Sequence, residues 1–286
     1  MNKLIRLLSR EDSRYFEDMD TGVEDDYVSR IFERLTTGDH RLFGLFVDNR
    51  LVSIGGYSLF AKRYAMLGRL RTDRRFRGNN FSTILTEHIM KEAFKVSGVQ
   101  WVGSNTQEDN LPARKVLEKL GLSLALVSYG AITNDTSALE SGSKPWQRIH
   151  SPERKKEWIK EVYVKPSLVF PYECYYSFPA SDDLFHEQEL EKWSFYENEE
   201  QSRFLITKHD QKGHHYLHAV YPWNDLFSQK GLWETISHDY KTLKKQTGED
   251  DTYIWMDLTK EAVKSLPSSH KFDLPSPWFL YGVDKK

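Results

Sequence analysis

Cysteine is almost missing from this chain: Cys174 is the one residue of its kind among 286. A single thiol excludes an internal disulfide framework and any zinc cage built from cysteines. It reads as a buried, inert side chain. Long hydrophobic runs are missing too. No stretch approaches the roughly 18 apolar residues of a membrane-crossing helix, and the apolar start at residues 1–6 is too short for a signal peptide. Charge of one sign is also lacking. Lys+Arg of 40 against Asp+Glu of 42 gives −2, which leaves no bulk electrostatic footprint for nucleic acid or an anionic membrane. The expectation is a cytoplasmic protein with neither nucleic acid nor membrane as a partner. Aromatics, by contrast, are plentiful (Trp 8, Tyr 15, Phe 16), and such a load argues against disorder and for a real core.

The chain reads as two halves. Residues 1–133 alternate strand and helix patterns, residues 134–147 are rich in Ser, Asn, Gly and Pro and read as a linker, and residues 148–286 form a second, aromatic α/β domain. In the first half the order is β-α-α-β-β-β-loop-α-β-α-β. Asp48-Asn49 between two apolar runs predicts a hairpin. Phe81, Ile84, Leu85, Ile89 and Ala93 lie on one helical stripe closed by Gly98. Glu17–Asp26 carries six carboxylates in ten residues and reads as a loop.

The chemistry concentrates where the third hairpin strand gives way to that helix. Arg69 to Arg77 holds five arginines in nine residues, and Arg77-Gly78-Asn79-Asn80-Phe81-Ser82 runs into the helix start. A turn opening a helix presents backbone N–H groups along a positive dipole, which suits phosphate oxygens, and neighbouring arginines add charge-assisted bonds. These residue types fit a polyphosphate cradle, a solvated basic turn, or a patch for RNA.

Two motifs here resemble those of GNAT-type N-acetyltransferases. Residues 77–82 are similar to the family's R-G-x-G-x-G/A phosphate loop. Residues 110–122 resemble its N-x-x-A-x-x-x-Y-x-K-x-G-F signature, with Asn110, Ala113, Lys119 and Gly121 matching. The resemblance implies a mixed-sheet α/β fold with two central strands splayed around the pantetheine arm of acetyl-CoA. It assigns cofactor contacts to Leu70, Arg71 and Thr72, to Arg77, Gly78, Asn79, Asn80, Phe81 and Ser82, and to Asn105 and Asn110. A neutral amine then attacks the thioester directly, with a base for the ammonium and an acid for the thiolate. No metal is implied.

This sequence departs from the family at Asn80, where Gly is usual; Asn best tolerates a left-handed backbone after Gly. Ser82 replaces a final Gly or Ala. Leu117 stands where a tyrosine often protonates the thiolate, and Asn105 where some members carry a base glutamate. The general acid and base are therefore unassigned, with Glu108, Tyr57 and Tyr129 as weak candidates beside Asp109 and His40. An acyl-CoA-sensing protein without turnover is the rival reading. In such domains the acidic stretch 17–26 roofs the acceptor site and would favour an ammonium-bearing acceptor; its plainer reading is a solvated loop.

From residue 204 the strand-loop-helix-strand-helix-strand order returns, ending in a strand at 278–283, which suggests a second, degenerate copy of the fold. Its loop at Pro222–Phe227 lacks a basic Gly-rich turn and should not hold a pyrophosphate. His209, His214, His215 and His218 do not converge on one strand face, so no metal is expected. The aromatic run 170–178 reads as packing. Whether the protein is a monomer or a homodimer is not encoded.

Overall fold

Apolar residues alternate along the second and third strands, and both faces find a cover. Phe43, Leu45, Val52, Tyr57, Ala65 and Val102 pack against Phe81, Leu85, Ile89 and Ala93 of the long helix. Leu42, Phe46, Leu51 and Ile54 point the other way, onto Phe16, Val28, Phe32 and Leu35. A helix on each face of a sheet follows from strands apolar on both sides.

The structure is a computed structural model describing residues 2–248 and 250–286. Contacts divide the chain into two units, one running to Ala125 and completed by Leu280–Lys286, the other Leu126–Phe279. In chain order the first unit holds β1 (Lys3–Leu7), α1 (Ser13–Glu17), α2 (Tyr27–Leu35), β2 (His40–Val47), β3 (Arg50–Phe60), β4 (Tyr64–Thr72), α3 (Phe81–Lys95), β5 (Trp101–Gln107) and α4 (Leu111–Lys119). These match the expected order. Asp48 and Asn49 both take positive φ (48° and 65°) in the β2–β3 turn, as a tight hairpin requires. Strands β1 to β4 are antiparallel neighbours, and β4 pairs with β5 in parallel.

The second unit contains most of β6 (Ser123–Thr133), then β7 (Gln147–Ile149), α5 (Pro152–Ile159), β8 (Val169–Glu173), β9 (Tyr176–Pro179), α6 (Glu187–Lys192), β10 (Ser194–Glu197), β11 (Phe204–Lys212), β12 (His214–Val220), α7 (Leu232–Thr247), β13 (Thr252–Leu258) and α8 (Lys260–Lys264). Its sheet runs β7-β10-β11-β12-β13-β6. The succession of pairings repeats the first unit: three antiparallel, then β12 with β13 in parallel. Its core gathers Leu217, Trp233, Ile236, Leu243, Ile254 and Met256. The last strand, β14 (Trp278–Asp284), lies beside β5.

Candidate functional site

Strands β4 and β5 form a fork. Their parallel pairing runs from Tyr64–Trp101 to Leu67–Ser104 and stops, although β4 continues to Thr72 and β5 to Gln107. The cause is local. The β3–β4 register slips opposite Gly55, and Arg69 takes a left-handed φ of 58°. Such a bulge bends its strand away from its neighbour. Beyond it, the Asp73 N–H donates to the Val52 carbonyl at 3.0 Å. Strand alternation then turns Arg71 and Asp73 toward β3 and the backbone groups of Leu70 and Thr72 toward the gap.

At the open end of the fork the chain passes through the turn 77–80 into α3. Gly78 has φ 84°, and Asn80 has φ 61° at the helix N-cap, so Asn80 does adopt the left-handed conformation. Among the described residues, the N–H groups of Gly78 to Thr83 have no acceptor; the first bond of the helix runs from Ile84 to the Asn80 carbonyl. Phe81 is buried and anchors the helix start in the core. The Asn79 amide donates to the Phe76 carbonyl at 3.0 Å, and Lys119 Nζ donates to Asn80 Oδ1 at 3.2 Å. A row of unclaimed N–H groups at the positive end of a helix is an anion site in form.

The arginines of this segment are bonded within the chain. Arg71 grips Asp26 with two bonds, Nε at 2.6 Å and Nη2 at 2.9 Å. Burial opposes the charge of Asp26, yet the Arg71 and Val28 donors outweigh it and hold its pKa below the usual value. Arg74 donates from Nη2 to the Gly22 carbonyl at 3.0 Å and from its backbone to that of Asp20 at 2.8 Å. Arg75 binds Asp73 and reaches the Asp18 carbonyl at 2.9 Å; its hydrogen bond lowers the pKa of the buried Asp73. Arg77 Nη2 donates to the Thr21 carbonyl at 2.9 Å. Arg69 donates to Ser58 at 2.9 Å. The acidic segment 18–26 is thus bound to the basic one rather than freely solvated. A groove of about 290 Å³ opens along it, with Glu17, Asp25 and Asp26 in its lining.

The remaining candidates are scattered. Tyr57 is buried beside Phe43, and burial raises its pKa. Glu108 and Asp109 are exposed between β5 and α4. Asn105 is half-buried on β5. Asn110 caps α4, its Oδ1 accepting from the Ala113 N–H at 3.3 Å. Leu117 is buried. Tyr129 belongs to the second unit and packs against that unit's core. His40 is bonded through Nδ1 to Ser58 Oγ at 2.7 Å.

Sequence reasoning passed over Tyr281. On β14, its buried hydroxyl donates to Glu118 Oε1 at 2.7 Å and accepts from Arg114 Nε at 3.2 Å. The Lys285 N–H donates to the Gln100 carbonyl at 2.7 Å, and β14 is the neighbour of β5 in the sheet. No local signal in the sequence says that the final strand lies there.

The second unit has a fork of its own. Parallel pairing runs from His215–Thr252 to His218–Trp255, and both strands continue past it. The start of α7, however, is filled by its own chain. Ser141 Oγ and the Ser143 N–H donate to Glu234 at 2.8 and 3.0 Å. Trp146 donates to the Lys230 carbonyl at 2.7 Å and to Thr235 Oγ1 at 2.8 Å. The histidines separate: His218 is buried against Asp257 (2.9 Å), His209 meets His215 (2.8 Å), and His214 meets Asp251 (2.9 Å). Cys174 is buried, and burial pushes its thiol pKa well up, so it is no nucleophile. Among the described residues no group of three or more acidic, His or Cys side chains is arranged for a metal, and no helix is long and apolar enough to cross a membrane.

Residues 4–122 match the sequence model of the acetyltransferase (GNAT) family. No curated protein matches the sequence. Among the solved structures that resemble nearly the whole chain are these two. A GCN5-related N-acetyltransferase from Sphaerobacter thermophilus aligns over 99% of this chain and 95% of its own, with TM-score 0.61 and 10% identity. A protein from Pyrococcus horikoshii, provisionally named an acetyltransferase, aligns over 99% and 90%, with TM-score 0.54 and 11% identity. At such identities the likeness is one of fold.

Proposed function

Because residues 4–122 are a GNAT acetyltransferase domain, we propose that the protein moves an acetyl group from acetyl-CoA to a primary amine by direct attack in a ternary complex. Acyl transfer in general follows from the family; the donor, the acceptor class and the mechanism are our reading. The observation that carries it is the β4–β5 fork opening beside the unclaimed N–H groups of Gly78 to Thr83. Those N–H groups suit a pyrophosphate, and the free backbone edge at Leu70 and Thr72 suits the amides of a pantetheine arm. In the reaction the amine nitrogen bonds to the thioester carbonyl carbon, the C–S bond breaks, the ammonium loses a proton and the thiolate gains one. Our candidate for accepting that proton through water is Glu108, exposed in the turn between β5 and α4.

Leu117, buried where the family's tyrosine stands, favours a second reading, acyl-CoA sensing without turnover. Within either reading the second unit is a degenerate copy of the same fold. The test is calorimetric titration with acetyl-CoA, CoA and dephospho-CoA, followed by thiol release with a panel of amines. Binding that weakens without the 3′-phosphate together with amine-dependent release supports transfer. Binding without release supports sensing, and no binding overturns both.

A further inference from the structure

Resting on that reading of the cradle, we infer that Arg74, Arg75 and Arg77 are positioning residues that latch the acidic segment Asp18–Asp26, and that the phosphates of the acyl donor open the latch by taking Arg77 from Thr21.

The bonds divide into two kinds. Arg71 and Asp26 form a largely buried, two-point ion pair, with side chains 19% and 6% exposed. Charge on both sides and exclusion of water make that contact the fixed end of the segment. The others join an arginine to a neutral main-chain oxygen: Arg75 to Asp18, Arg77 to Thr21 and Arg74 to Gly22, with Arg74 adding only a loose, exposed ion pair to Asp20 at 3.9 Å. A phosphate oxygen is a stronger acceptor for a guanidinium than a neutral peptide carbonyl, because it adds a full opposite charge and can take two parallel N–H bonds. Arg77 directly precedes Gly78, the first residue of the unclaimed N–H row. A pyrophosphate held there lies within its reach, and Arg77 exchanges its carbonyl for the anion. The segment is then freed at Thr21 and still tied at Asp26.

The latch is also built from the segment's side. Gly22 has φ 74°, and a Cβ there would lie 1.9 Å from Arg74 Nε. Only glycine lets the guanidinium lie flat against the segment. The same segment lines the groove beside α1, so donor binding reshapes the wall that faces an acceptor. The expected consequence is ordered binding, donor first.

The experiment places a spin label at Val23→Cys, an exposed position; buried Cys174 does not compete for the reagent. In the free protein the label is restrained. Saturating CoA raises its mobile fraction severalfold, with a midpoint equal to the calorimetric Kd. Arg74→Ala raises the mobile fraction without CoA, and Gly22→Ala does the same while removing no arginine. If CoA binds by calorimetry and the label is unmoved or slowed, the latch is wrong and the functional reading stands. If CoA does not bind at any concentration, both fall. If the label is restrained equally in Arg74→Ala and Gly22→Ala, arginines do not hold the segment.

Discussion

Asn80 sets the scale of what one residue controls here. It enters the left-handed region where a β-branched residue would be strained, and so turns the chain that exposes the N–H row of α3. Gly78 at φ 84° makes the preceding half of the turn, and a Cβ there meets nothing within 4 Å. Gly78→Asp therefore costs about 1 kcal/mol of backbone strain but places a carboxylate where an anion should sit. We expect CoA affinity to fall more than about tenfold through like-charge repulsion, with the melting temperature lowered by only a few degrees; unchanged affinity in a titration would remove the cradle from these residues. Farther from the site, Asp12 binds Arg6 through both oxygens, at 2.6 and 2.8 Å. The Arg6 hydrogen bond is the chief cause of a pKa lowered to about 2. A depressed carboxyl pKa stabilises the fold above the unfolded value near 4 and loses that contribution as pH falls toward 2. Asp12→Asn should cost about 1–2 kcal/mol at pH 7. Urea unfolding at pH 7 and pH 3 should show that difference shrinking at the lower pH; a constant difference would assign it to packing.

At the scale of elements, the sequence showed best what periodicity encodes. The stripe Phe81, Leu85, Ile89, Ala93 is the buried face of α3, and the order of elements through β6 follows from apolar spacing and turn residues. Partnerships were less legible. Five arginines beside a phosphate-type loop fit a polyphosphate cradle, a solvated turn and an RNA patch alike, because a sequence gives their charge but not their rotamers. The structure turns four of them to Asp73 and the acidic segment. The filling of α7 was hidden for the same reason, since Ser141–Trp146 looks like any polar linker until its donors meet Glu234 and Thr235. That filling carries a prediction about stoichiometry. Because Ser141, Ser143 and Trp146 already bond to the start of α7, calorimetry should give one CoA per chain. Glu234→Gln keeps the hydrogen-bond acceptor and should leave that ratio at one. A second, weaker CoA site would show that the segment yields to phosphate.

At the scale of the whole chain, the first unit takes its last piece from far along the sequence. Leu280–Lys286 belongs to the first unit, 161 or more positions after α4 ends at Lys119. No local pattern encodes a pairing over that separation, and its closure entropy makes such contacts late ones in folding. Four bonds mark the attachment. Lys285 donates from its backbone to Gln100 at the start of β5, and from Nζ to the Phe94 carbonyl near the end of α3 at 2.8 Å. Tyr281 joins Arg114 and Glu118 of α4. From α4, Lys119 reaches back to Asn80. The last strand therefore braces the helix that reaches the turn at Asn80. Tyr281→Phe removes the hydroxyl and leaves the ring, so stability should fall by about 1–2 kcal/mol, and CoA affinity should fall severalfold through the loosened turn. Lys119→Ala should weaken CoA binding through the same contact. If the brace runs from Tyr281 through α4 to Asn80, the double variant binds CoA no worse than the poorer single one, because the second change cuts a connection already lost. Additive losses would mean that Tyr281 and Lys119 act on the site separately. A Tyr281→Phe protein with lowered stability and unchanged CoA affinity would reduce the last strand to a structural edge.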